Sequence, residues 1–141
     1  MLKRLAVFLI FIILPACAQK PTAYEMSKAD YGQVPASYQG LIINKIKGSL
    51  PEPESATIEV AKPFPAIRYL GLSKGGEYEY GHVVHVWVTA KDSMRQGVQK
   101  SPKIFWWNNK GWNTMLPSLE GITPKYPAQA EEYTGVIFTR Y

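Results

Sequence analysis

From Tyr78 to Ala90 the chain alternates with a period of two. Tyr80, His82, Val84, Val86, Val88 and Ala90 point to one side, and Val83, His85, Trp87 and Thr89 to the other. Apolar groups on both sides predict a central strand covered on each face. Shorter strands are predicted around it. Ser55–Ala61 sets Ala56, Ile58 and Val60 against Thr57 and Glu59, and Ile67–Leu72 is a second short run. Lys103–Asn108 and Gly111–Leu116 flank Asn109-Lys110, whose turn chemistry predicts a β-hairpin. Tyr133–Arg140 supplies a last strand.

One helical period stands upstream of these strands. After Asp30-Tyr31-Gly32, a turn signal, and Pro35, which suits a first helical turn, Tyr38, Leu41, Ile42 and Ile46 recur three or four residues apart. Gly48-Ser49-Leu50-Pro51 stops this helix, and Lys45 and Lys47 complement its dipole near the end. Ser73–Glu77 reads as a loop, Lys91–Ser101 as a polar excursion, and Pro117–Glu132 as a turn-rich stretch. The expected fold is α+β: one N-terminal amphipathic helix packed on a mostly antiparallel sheet of four to six strands.

Composition narrows the function classes. The chain has 141 residues, 46% apolar and 19% charged, with 11 Gly and 11 Pro that follow no period. This excludes collagen-like repeats and argues against charge-driven disorder. A single Cys excludes an intramolecular disulfide and any multi-cysteine zinc site.

That cysteine sits in a tripartite N-terminus. Lys3 and Arg4 precede an unbroken apolar run from Leu5 to Leu14, followed by Pro15, Ala16 and Cys17. Ten residues of helix span ~15 Å, half of a ~30 Å hydrocarbon core, which suits a signal h-region better than a membrane span. The Leu14-Pro15-Ala16-Cys17 segment resembles the bacterial lipobox; Pro15 departs from the commonest small residue there. The resemblance implies cleavage between Ala16 and Cys17, with diacylglycerol on the thiol and a fatty acyl group such as palmitate on the new amine. An ordinary secretory signal and an uncleaved signal anchor are the alternatives. Acylation by more than one chain meets the threshold for stable anchoring. Ala18, where an Asp would favour inner-membrane retention in enterobacterial-type sorting, implies an outer-membrane lipoprotein facing the periplasm.

The expected organisation is therefore a signal peptide over 1–16, an acylated Cys17 with a flexible tether over 17–29, and a single small α+β domain over 30–141. Loss of Lys3 and Arg4 lowers the basic count from 16 to 14 against 11 acidic side chains, a net charge of +3. Without a Lys/Arg run, nucleic acid is not an expected partner.

A second resemblance rests on Asp30-Tyr31-Gly32, Pro35, Tyr38 and the segment Leu50-x-Glu52-Pro53-Glu54-Ser55-Ala56. Residues 30–60 resemble small uncharacterised bacterial envelope lipoproteins in which D-Y-G-x-x-P precedes a helix closed by L-x-D-P-x-S-A; Glu52 stands where they carry Asp. The resemblance implies a sheet after the helix and an envelope role, with no catalytic residue to carry over.

The residues give little chemistry beyond this. His82 and His85, three apart on a strand, face opposite sides and do not suit one metal ion, so no metal, and no cofactor beyond the covalent lipid, is expected. Glu77 and Glu79 share a strand face but are expected to be solvated beside a Gly-rich loop rather than paired as in glycosidases. The expectation is no enzyme; a hydrolase would rest on the compartment alone. The aromatic residues carry the binding hypothesis. Adjacent Trp106 and Trp107 point to opposite faces, with Trp112 across the turn, so one ring packs inside and the other is free to anchor a partner or stack on sugar. Coverage of both faces would instead bury the pair. The expected role is a non-enzymatic structural or adaptor component of a cell-envelope assembly, such as a secretion or conjugation apparatus. It would contact envelope proteins through strand edges and through Trp106, Trp107 and Trp112, with peptidoglycan binding by exposed Trp as the alternative.

Overall fold

A computed structural model describes residues 19–92, 97–111 and 113–138. The sheet is built around β3 (Tyr78–Asp92). β4 (Gly97–Asn108) runs back along it, from the Asp92–Gly97 pair to the Gly81–Asn108 pair. Along the opposite edge β1 (Thr57–Val60) and β2 (Phe64–Tyr69) lie end to end, β1 against Val86–Thr89 and β2 against Tyr78–Val83. The Ala61 N–H donates to the His85 carbonyl at 2.9 Å and carries the ladder across the gap. β5 (Asn113–Leu116) pairs with β4, and β6 (Ile122–Pro124) with β2. The fold is thus α+β, a six-stranded antiparallel sheet with a few short helices.

Both faces of β3 are covered, as its two-sided apolar pattern predicts. On one face Val84, Val86, Val88, Phe105 and Trp107 form a buried cluster with Ile42 and Ile46 of α2 (Tyr38–Lys47). On the other, Phe64, Ala66, Val83, Ile104 and Trp106 pack with Ile122 and with Ala130 of α3 (Pro127–Thr134). Full burial of a Val, Ile or Phe side chain contributes about 1.5–3 kcal/mol, so these clusters dominate the stability.

Besides β6, a strand inside the expected turn-rich stretch, three segments differ from the sequence expectation, each for a local reason. Gly97–Ser101, within the expected polar excursion, is strand: Gln99 and Lys100 face solvent while the backbone ladder to Ala90 and Thr89 holds the segment. Tyr133–Arg140 does not form a strand in its described part. Pro127 at the first helical turn and Ala130 against the sheet favour α3, which Gly135 stops in the left-handed conformation at φ 69°. Finally, Ala23–Lys28, inside the expected tether, forms helix α1. Thr22 accepts from the Glu25 N–H at 3.2 Å while Glu25 accepts from the Thr22 N–H at 2.7 Å, a reciprocal capping box. A six-residue helix is marginal alone. Met26 holds it to the body by packing with Tyr31 and Ile67.

Candidate functional site

Trp106 and Trp107 do point to opposite faces, but neither is free. They are 1% and 2% exposed, because α3 covers one face of β4 and α2 the other. The expected contact platform of exposed Trp rings is therefore not formed by this pair, a correction that follows from a second covering layer whose helical character the turn-rich reading of Pro117–Glu132 hides. Trp112, Cys17 and Ala16 lie outside the described residues.

What Trp106 does instead is anchor a polar knot. Its indole Nε1–H donates to Glu79 Oε2 at 2.7 Å, the Asn108 amide donates to Glu79 Oε1 at 2.9 Å, and Arg68 Nη2 lies 3.2 Å from Oε2. The Arg68 guanidinium also stacks 5.5 Å from the Trp106 ring centroid. Glu79, expected in solvent, is thus half-buried among three donors. Glu77 precedes β3 and is exposed, so the two carboxylates do not act as a pair. Charge-assisted contacts of this kind are short and directional, and the knot locks the strand ends β2, β3 and β4 together.

The two histidines also separate as expected. His82 lies near Tyr31, with ring centroids 6.3 Å apart, and His85 sits edge-on to Trp87 at 5.0 Å. Burial lowers the pKa of His85, and burial, opposed by a hydrogen bond to the Tyr31 backbone, lowers that of His82. Among the described residues no group of three His, Cys, Asp or Glu is placed to hold a metal ion.

The Asp30-Tyr31-Gly32 motif acquires a structural role. Burial pushes the Tyr31 hydroxyl up to about 12, so it remains a donor, here to the Met26 carbonyl at 2.8 Å. Asp30 Oδ1 accepts from the Gly32 N–H at 2.8 Å, and the Asn109 side chain donates to the Asp30 carbonyl at 3.4 Å. Gly32 has φ 69°, and a Cβ there would meet Asn109 Cα at 2.6 Å. The motif clamps the hairpin tip onto the sheet.

The surface with the character of a recognition site is a groove of about 450 Å³ between the end of α2 and the far half of the β3–β4 hairpin. Ile46, Leu50, Val88, Ala90 and Phe105 form its floor, and Lys45, Lys91 and Lys103 stand at its rim. Lys91 pairs with Glu52 at 3.6 Å, and Lys45 Nζ lies 5.8 Å from the Phe105 ring centroid. Neither Lys45 nor Lys103 has an ion-pair partner among the described residues. An apolar floor with uncompensated cations above it suits an apolar ligand carrying negative charge. The pattern along the chain does not reveal this site, because the three lysines come from three elements that share no period. Comparison with protein-family models, with curated proteins and with solved structures finds no match to this chain.

Proposed function

We propose that the chain is a lipoprotein held by acylated Cys17 at the periplasmic face of the outer membrane. Its domain, with amphipathic α2 laid on the sheet, serves as a non-enzymatic adaptor in a cell-envelope assembly, such as a secretion or conjugation apparatus. The observation that carries this reading is the sole cysteine placed directly after a ten-residue apolar run, in Leu14-Pro15-Ala16-Cys17. The likeness of residues 30–60 to envelope lipoproteins points the same way. With Trp106 and Trp107 in the core, the contact surface moves to the lysine-rimmed groove, whose partner is an acidic segment of an envelope protein bearing apolar side chains. The glycan-binding alternative loses both of these rings as a platform.

The full chain with its native signal, compared with Cys17→Ser by intact mass and membrane fractionation, tests the address. The expected mass is that of the chain from Cys17 plus acyl groups, in the outer membrane, with the variant neither acylated nor placed there. An unacylated wild type overturns the reading. For the adaptor role, Lys45→Glu with Lys103→Glu should abolish co-purification of envelope proteins in mild detergent without changing the far-ultraviolet circular dichroism. Undiminished co-purification excludes the groove.

A further inference from the structure

We propose that the face around Lys20, where α1 meets β6 and the end of α3, is a second membrane contact that seats the domain directly on an anionic lipid surface. This inference rests on the acylation of Cys17.

Chain length makes the first part of the case. Lys20 follows Cys17 by three residues, a reach of at most ~10 Å. It does not enter a long free tether: Thr22 and Glu25 cap α1 at once, and Met26 is buried against Tyr31 and Ile67. The headgroup layer on each side of a bilayer is itself ~6 Å deep. A face whose chain leaves within ~10 Å of an embedded acyl anchor is therefore held at the level of the headgroups.

The surface found there has the composition of an interface. One depression of about 630 Å³ runs between α1 and the β6–α3 connection, past Lys20, Met26, Lys125 and Tyr126. A second, of about 310 Å³, shares Lys20, Thr123 and Pro124 with the first and continues to Val136 and Ile137. Tyr126 and Val136 are exposed, and Ile137 is 86% exposed. Tyrosines with a wet hydroxyl and an apolar ring settle at membrane interfaces, and an isolated aliphatic side chain gains by entering the acyl boundary. Lys125 supplies positive charge, its Nζ 5.5 Å from the Tyr126 ring centroid and 5.0 Å from that of Tyr31, while Glu25 turns its carboxylate back to Thr22 and Glu131 accepts from the Phe138 N–H. Lysines near an anionic surface each add to binding. The groove at the far half of the hairpin lies elsewhere. It shares no lining residue with either depression.

Acylation itself supplies the probe site, because the Cys17 thiol becomes a thioether. In the acylated full chain, Ile137→Cys therefore introduces the sole free thiol, and Val98→Cys, at a position 71% exposed on the far hairpin, is its control. Each variant is labelled with a polarity-sensitive fluorophore and reconstituted in vesicles containing phosphatidylglycerol. The expected result is one label per chain, with a blue shift and loss of more than half the emission to doxyl-labelled lipid at Ile137→Cys, and neither at Val98→Cys. Water-like emission from both positions in singly labelled protein overturns the docking proposal while acylation stands. A blue shift that follows protein concentration and ignores the doxyl lipid assigns the face to a second copy instead and overturns it equally. Two labels per chain mean that the Cys17 thiol is free, and the acylation reading and this proposal fall together.

Discussion

At the scale of single residues the fold turns on close approaches and on polar groups excluded from water. Gly81 pairs with Asn108 in the β3–β4 ladder, and a Cβ there would collide with the Trp107 carbonyl, with Trp106 Cζ2 at 2.8 Å and with Asn108 Cα at 2.9 Å. Two of these neighbours are backbone, so the ladder itself would have to open. Gly81→Ala is expected to cost about 3 kcal/mol, the upper end for overpacking, read as a lower urea midpoint; a midpoint equal to wild type would refute this packing. The histidines set an acid limit. Burial is the largest cause holding His85 and His82 below their ordinary value of 6.5, so the folded chain resists protons that the unfolded chain accepts. Stability is fully present above about pH 6.5 and falls as pH drops below it toward the lowered values. The melting temperature should therefore decline between pH 7.5 and 5.5, and His85→Leu should shrink that decline. An unchanged decline would show that His85 is not among its causes.

At the scale of elements, stability is concentrated on the inward stripe of α2. Ile42 is buried with Val84, Val86 and Phe105, while its neighbour Leu41 is 49% exposed. Ile42→Ala is expected to cost about 2–5 kcal/mol in denaturant unfolding and Leu41→Ala about 0.5 kcal/mol or less. Equal effects would mean that the helix does not pack by this stripe. The same stripe explains why α2 is legible from spacing alone: Tyr38, Ile42 and Ile46 repeat at the period that the sheet selects. β3 is legible for a similar reason, its alternation being imposed by two covered faces. α1 carries a signature as clear, Thr22-x-x-Glu25, but only the burial of Met26 makes so short a segment hold. α3 is the hardest to see, since Gly, Pro and polar residues surround it and its anchor is a single small side chain, Ala130. Strand residues such as Gln99 and Lys100 show no apolar pattern because an edge ladder needs only their backbone.

At the scale of the whole molecule, the candidate sites follow from topology more than from local pattern. The groove joins Lys45 of α2, Lys91 of β3 and Lys103 of β4, and a register that pairs Val86 with Lys103 is what assembles them. Trp106 and Trp107 were legible as opposed rings. That both are buried was not, because Trp107 is covered by α2 while the cover of Trp106 depends on α3 returning to the sheet from the far end of the chain. The address rests on residues 14–17 alone and is independent of the fold. If Cys17 is the anchor and Lys20 meets the headgroups, the β6 edge faces the bilayer and the β3–β4 hairpin reaches away from it.

The placement of β3 has a consequence in time. Every ladder of the sheet includes β3 or a strand that follows it: β1 and β2 pair with β3, β2 also with β6, β3 with β4, and β4 with β5. Among the described residues, those before Tyr78, where β3 opens, therefore find no strand partner within their own half of the chain. The sheet needs more than half of the 141 residues, and β1, β2, β5 and β6 complete it around the β3–β4 pair. Such an order leaves the strands of the leading half unpaired until the trailing half arrives.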